Sequence, residues 1–249
     1  MQWTIAVGER VLVPIERWIG RRSLLGEHTF FGVEDLPWIA ELEASTPVIR
    51  EELERVLEDR EALPNFQDIS KDQLEITTDD RWKTLFLYGY GFRSELVCEM
   101  CPHTDRLVRG ISGMTTAMFS ILSPRKHILD HRGPYKGVLR YHLGLIIPRE
   151  KEACRIRVGE DVRHWEAGRS LLFDDTYNHE VWNDTDETRV VLFVDVVRPL
   201  PFPESLINRA IIKLIGVSPF VLDARRNQKA WEEGYREYKR GRAAIRSAA

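Results

Sequence analysis

Arg140 and His142 alternate along the run GVLRYHLGLIIP, at 137–148. In an extended strand they share a face with Val138 and Gly144, while Tyr141, Leu143 and Leu145 form an apolar stripe on the other. A strand that turns an arginine and a histidine inward needs a ligand there, because a buried unpaired charge is costly. A second such run, TRVVLFVDVV, begins with Arg189 and puts Val191, Phe193 and Asp195 on the same face. His179 and Arg189 lie symmetrically about Asp184, the middle of the polar turn NDTDET. Read as a hairpin, this sets an imidazole directly opposite a guanidinium. Guanidiniums suit a dicarboxylate, bound bidentately, and imidazoles suit a transition metal such as iron. A lone histidine is more often structural, so His127 and His164 are read as surface or supporting residues and His103 as a loop residue.

Short strands must position these side chains. Residues 82–97, 115–123, 137–148, 154–158, the SLLF run after Gly168 and the run at 188–197 read as strands separated by polar turns, an antiparallel sandwich or barrel. Helix is expected at 35–60, where Trp38, Leu42, Val48, Leu53 and Val56 are helically spaced, and a loop at 68–80. The 249 residues suit one catalytic domain, 33–200, between an N-terminal segment, 1–32, and a helical basic tail, 201–249. In the tail, 205–222 is apolar but interrupted, and 224–249 holds eight Lys/Arg against three Glu. Trp231, Tyr235 and Tyr238 fall on one helix face. That face either packs back on the domain or rests on an anionic membrane; both readings stay open.

The net charge of −3 gives no reason to expect nucleic acid as a partner, and no P-loop, zinc-finger or RNA-binding pattern occurs. The start, MQWTIAVGERVLVPIERWIGRR, is too interrupted by charge to be a signal peptide or a span. Cys98 and Cys101 form a lone CxxC, and Cys154 stands apart, which fits reduced thiols in the cytoplasm, with peripheral contact at the cytoplasmic membrane through the tail.

Three ordered blocks, HRGPYKGVLRYHLGLIIP, WEAGRSLLFDDTYNHEVWND and RVVLFVDVVRP, resemble the signature blocks of the aspartyl/asparaginyl β-hydroxylase family. The resemblance is close over 82–199 and loose over 33–81. It implies a mainly β chain with flanking helices around a double-stranded β-helix (jelly-roll, cupin-like) core, and an Fe(II)- and 2-oxoglutarate-dependent dioxygenase using O2. It implies His131 and His179 as the metal ligands. Ser120 and Arg189 would hold the distal carboxylate of 2-oxoglutarate, and Arg140 and His142 would lie at its chelating end. Gly133 stands where related enzymes outside the family carry a third, carboxylate ligand, so an aspartate introduced there is expected to reach the metal. Asp174 and Asp175 are expected to serve in hydrogen bonding or substrate contact near the mouth, and Trp82 matches a family tryptophan near the site. Peptide-acting members carry an arginine where this chain has Val138, whereas a lipid-hydroxylating member shares RYHLGL and ends in extra apolar and basic segments. The expected reaction is therefore hydroxylation of an unactivated C–H bond, at the β-carbon of a peptidyl Asp/Asn-type residue or the 2-position of a lipid acyl chain. A free amino-acid substrate, and a non-catalytic barrel that binds metal or dicarboxylate, are the alternatives.

Overall fold

From residue 114 onward the strands alternate between two sheets, broken only by the β7–β8 hairpin within the smaller one, and that winding defines the architecture. The structure is a computed structural model that describes residues 13–32, 34 and 36–248. The reading of residues 1–12 as the start of a non-spanning N-terminal segment lies outside the described residues. The strands are β1 (Phe30–Phe31), β2 (Trp82–Gly89), β3 (Phe92–Arg93), β4 (Met114–Leu122), β5 (Lys126–His131), β6 (Val138–Ile146), β7 (Cys154–Val158), β8 (Asp161–His164), β9 (Ser170–Phe173), β10 (His179–Asn183) and β11 (Arg189–Val197). The larger sheet runs β1-β9-β6-β11-β4-β2-β3, the smaller β5-β10-β7-β8. Every pairing in both is antiparallel. Strands β4 to β11, wound in this order between two facing sheets, make a double-stranded β-helix.

The helices are α1 (13–22), α2 (Trp38–Ala44), α3 (Thr46–Leu57), α4 (Phe66–Ile69), α5 (Glu95–Met100), α6 (Pro102–Gly110), α7 (Glu204–Gly216) and α8 (Pro219–Ala248). Strand β6 shows why they lie outside. Its outward Leu139, Tyr141, Leu143 and Leu145 are buried with Ile39, Leu42, Ile49 and Leu53 of α2 and α3. Between the sheets, Ile128, Ile156, Phe173, Val181 and Val191 form a second core, and this one lines the site.

Four expectations need correction. The helix read at 35–60 is two helices, because Pro47 lacks an amide hydrogen and sits in the first turn of α3, where none is needed. Residues 68–80 are not simply loop: α4 ends at Ile69 and a 3-10 turn spans Lys71–Glu75. The strand read at 82–97 stops at Gly89. The chain reverses at Tyr90 and Gly91, both with positive φ, and Ser94 then caps α5 by accepting from the Val97 amide at 3.2 Å. Finally, β10 and β11 are not hairpin partners. β10 pairs with β5 and β7, and β11 with β4 and β6, so the polar turn carries the chain from one sheet to the other.

The tail packs back on the domain. The Trp231 indole donates to the Ala62 carbonyl at 2.9 Å, and Tyr235, Tyr238, Lys239 and Arg242 converge on the buried Asp59 carboxylate. The aromatic face of α8 is thus an internal contact, not a membrane face. At the other end, Ile19 of α1 and Ile211, Ile212 and Ile215 of α7 pack with Tyr135 and Leu200, joining the segments before and after the barrel.

Candidate functional site

His131 ends β5 and His179 begins β10, and the register sets them directly opposite each other. Their ring centroids lie 4.1 Å apart. His131 Nδ1 donates to the Leu129 carbonyl at 2.7 Å, and His179 Nδ1 to the Tyr177 carbonyl at 3.1 Å. A carbonyl only accepts, so both Nδ1 atoms carry the proton and both Nε2 atoms keep a lone pair. Burial lowers the pKa of His131. It takes that of His179 down to about 3, helped by the neighbouring His131 and Arg140. Both rings are therefore neutral at neutral pH, and two neutral imidazoles with fixed tautomers are what a transition metal takes as ligands. Among the described residues no group of three or more His, Cys, Asp or Glu is arranged to hold a metal.

Arg189 begins β11 on the facing sheet and is almost fully buried. Its guanidinium lies 4.6 Å from the centroid of the Trp165 ring. The contacts of Nη1, to the hydroxyl and carbonyl of Ser120, are long at 3.4 and 3.5 Å, and Nε has no partner. None of the ion pairs among the described residues includes it. Burial without a counter-charge pushes its pKa down to about 10, still far above neutral pH. A cation in this state calls for an anion. Ser120, on β4, is held beside it by the Trp82 indole, which donates to its hydroxyl at 3.0 Å.

His142, on β6, supplies another unmet donor. The Trp165 indole can only donate, and it reaches His142 Nδ1 at 3.3 Å. Burial, with Arg189 and Arg140 nearby, keeps this ring neutral. Its proton is therefore on Nε2, which is buried and has no partner. Arg140, two residues earlier, is already engaged. Asp195, its register partner on β11, takes Nε at 2.9 Å and Nη2 at 3.2 Å, and Asp175 lies 2.8 Å from Nη2. Arg140 thus fixes two carboxylates at the edge of the site.

Gly133 does not leave an open position. A Cβ there would meet the Asp175 carboxylate at 2.1 Å, so Asp175, reaching over from the loop before β10, occupies the space. This corrects the expectation that an aspartate at 133 could simply reach the metal. Burial raises the pKa of Asp175 to about 6, although Arg140 opposes the shift. Asp174 points elsewhere, into an ion cluster with Arg198 and Lys136. His127 pairs with Glu180 on the surface, and His164 bonds the Lys151 carbonyl.

His131, His179, Ser120, Arg140, His142 and Arg189 thus line one cavity of about 120 Å³, with Trp82, Asp175, Phe173, Val181 and Phe193 completing its wall. Sequence reasoning gave no role to Trp165. It follows β8 in an irregular segment, where no periodicity reveals that it braces His142 and underlies Arg189.

A double-stranded β-helix with an imidazole pair on one sheet and a buried basic pocket on the other has the architecture of a barrel hydroxylase. Residues 43–199 match the family model for aspartyl/asparaginyl β-hydroxylase, and the chain belongs to that family and is a hydroxylase. It is 50% identical over 230 residues to an ornithine lipid ester-linked acyl 2-hydroxylase of Rhizobium tropici, a match covering 91% of this chain and 82% of the relative. It is 38% identical over 128 residues to the aspartyl/asparaginyl β-hydroxylase of Homo sapiens, covering 49% of this chain and 17% of that protein. Among solved structures, a prolyl hydroxylase from Trichoplax adhaerens overlaps with a TM-score of 0.47 at 14% identity, covering 85% of this chain and 96% of that one. At that distance the overlap adds nothing to the topology already described.

Proposed function

We propose that the chain is an Fe(II)- and 2-oxoglutarate-dependent dioxygenase that 2-hydroxylates an acyl chain of an ornithine lipid or similar amphiphile. One observation carries the cofactor assignment: a buried guanidinium with unmet donors faces a pair of neutral imidazoles across a small cavity. The residues fit the group. His131 and His179 would hold iron through Nε2. Arg189 and Ser120 would take the distal carboxylate of 2-oxoglutarate, and the Nε2–H of His142 its chelating end, beside Arg140. Bound iron with 2-oxoglutarate and O2 supplies the oxidising power to hydroxylate an unactivated C–H bond. The chain's own contribution is to bind and orient. Arg189 fixes the co-substrate by charge and fork geometry, Trp165 and Trp82 hold the donors in place, and Phe173, Val181 and Phe193 keep water out.

Support for the lipid comes from the extent of likeness. The match to the lipid hydroxylase spans both the barrel and the flanking segments, whereas the match to the protein hydroxylase covers about half of this chain. Val138 offers no charge to an acidic peptide side chain. Among the described residues no single helix is long and apolar enough to cross a membrane, although the α7–α8 pair, bent by 54°, together has the length and composition. We propose that the enzyme works in the cytoplasm, peripherally at the membrane surface.

The cofactor assignment is tested by anaerobic titration of Fe(II) and 2-oxoglutarate into the purified protein. The expected result is a visible charge-transfer band that His179→Ala and His131→Ala abolish and His127→Ala leaves intact. Retention of the band in His179→Ala would overturn the assignment.

A further inference from the structure

Helix α7 is apolar on two sides. Ile211, Ile212 and Ile215 face the cluster around Tyr135, and the buried Asn208 bonds Tyr135 and the Gly137 carbonyl. On the other side Leu206, Ile207, Leu214 and Val217 recur at helical spacing and are exposed, Leu214 by 69% and Val217 by 66%. An apolar helix face is ordinarily turned to the core and covered. Phe202 before α7, and Phe220 and Leu222 after it, extend the surface, so seven of the thirteen exposed large hydrophobics among the described residues lie within 202–222. That concentration marks an interaction surface and is not the usual scatter.

Charge decides between partners. Arg209 and Lys213 on α7 and Arg225 on α8 are exposed and make no ion pair among the described residues. The nearby acids are spoken for, Glu204 by Arg22 and Asp223 by Arg226. A two-fold contact between copies would set this patch against itself, cation facing cation. An anionic lipid surface matches both its apolar and its basic character. A groove of about 660 Å³ opens within the patch, between the α7–α8 joint and the Tyr90–Gly91 turn; Lys213, Val217, Leu222 and Arg225 belong to both. From that turn the ladder row Gly89–Thr116–Asp195–Arg140 crosses the larger sheet to the edge of the catalytic cavity. Thr116 Oγ1 on that row is buried without a partner.

We propose that the outer face of α7 and the α7–α8 joint seat the protein on an anionic bilayer, and that the groove takes an acyl chain of the lipid there. The seat stands on its own geometry; the groove's occupant rests on the lipid reading above. The aromatic face of α8 takes no part, because it is packed against the domain.

The test uses full-length protein and vesicles of phosphatidylcholine, with and without phosphatidylglycerol, at low and high salt. Wild type should sediment with phosphatidylglycerol vesicles at low salt and be released as salt rises, since exposed charges are screened. Leu214→Asp with Val217→Asp should weaken binding at least tenfold while melting temperature and 2-oxoglutarate affinity stay as in wild type. Arg209→Glu with Lys213→Glu should also release it, since each cation at an anionic surface gives roughly a fivefold gain in partitioning. Lys229→Glu with Arg240→Glu, on the exposed side of α8, should matter less. Undiminished binding by the α7 variants would overturn the proposal, as would wild type that ignores the vesicles or a dimer that Leu214→Asp dissociates. If the seat binds but no lipid gains oxygen, the docking surface stands and the substrate reading falls. If lipid in detergent gains oxygen while vesicle binding ignores α7, the substrate reading stands and the seat falls.

Discussion

A guanidinium buried without a carboxylate is a liability until a ligand completes it, and Arg189 is in that state. Removing it should have opposite effects on affinity and on stability. Losing one partner of a buried charged pair costs roughly 3–5 kcal/mol, so Arg189→Ala should weaken 2-oxoglutarate by a hundredfold or more. Arg189→Lys should recover only part, because a point charge lacks the fork. Without ligand, Arg189→Met should be as stable as wild type or more so, by up to about 4 kcal/mol, since it removes an uncompensated charge. Thermal melts with and without 2-oxoglutarate check both arms, and an unchanged affinity in Arg189→Ala would remove the residue from the binding site. A second residue-scale prediction concerns the contact of Gly133 with Asp175. Gly133→Ala should cost about 1–3 kcal/mol through overpacking, and Asp175→Ala should relieve much of that cost. Additive melting-temperature losses in the double variant would contradict the contact.

At the scale of elements, the alternating strands β6 and β11 are legible in the sequence and their partners are not. The runs around Arg140 and Arg189 announced inward faces by alternation, and β6 and β11 indeed carry those residues inward. The hairpin reading failed because sequence symmetry about a turn cannot show that the turn crosses between sheets. His179 therefore faces His131, not Arg189, along its ladder. His131 itself was found by resemblance, since β5 has no alternating apolar signature of its own. Asp175 and Trp165 sit in irregular segments, where nothing local reports what they touch. The tail forms α7 and α8, and one buried carboxylate, Asp59, gathers four side chains of α8. The hydrogen bond from Lys239, with the charges of Lys239 and Arg242, lowers the pKa of Asp59 despite its burial. A lowered carboxylate pKa stabilises above the unfolded-state value of 3.8 and is lost as pH falls through the folded value. As pH falls below 3.8, α8 should therefore loosen progressively. Asp59→Ala should loosen it at neutral pH as well, by about 1–3 kcal/mol. Limited proteolysis should cut within 219–248 under both conditions and spare wild type at neutral pH. Equal resistance in Asp59→Ala would show that the aromatic contacts alone hold the helix.

For the whole molecule, the barrel carries the candidate site and the flanking helices pack around it. Helices α1 and α7 share one apolar cluster, so both are packed parts of the fold. The family is shown by the sequence match over residues 43–199, while the choice of substrate rests on likeness that extends into those helices. The measurement that tests the account most directly is mass spectrometry of an ornithine lipid incubated with the purified protein, Fe(II), 2-oxoglutarate and air. The account predicts succinate formation coupled to a gain of one oxygen at the 2-position of an acyl chain, absent without 2-oxoglutarate and absent in His131→Ala. Succinate formation coupled instead to oxygen on a peptidyl aspartate or asparagine, with the lipid unchanged, would contradict it.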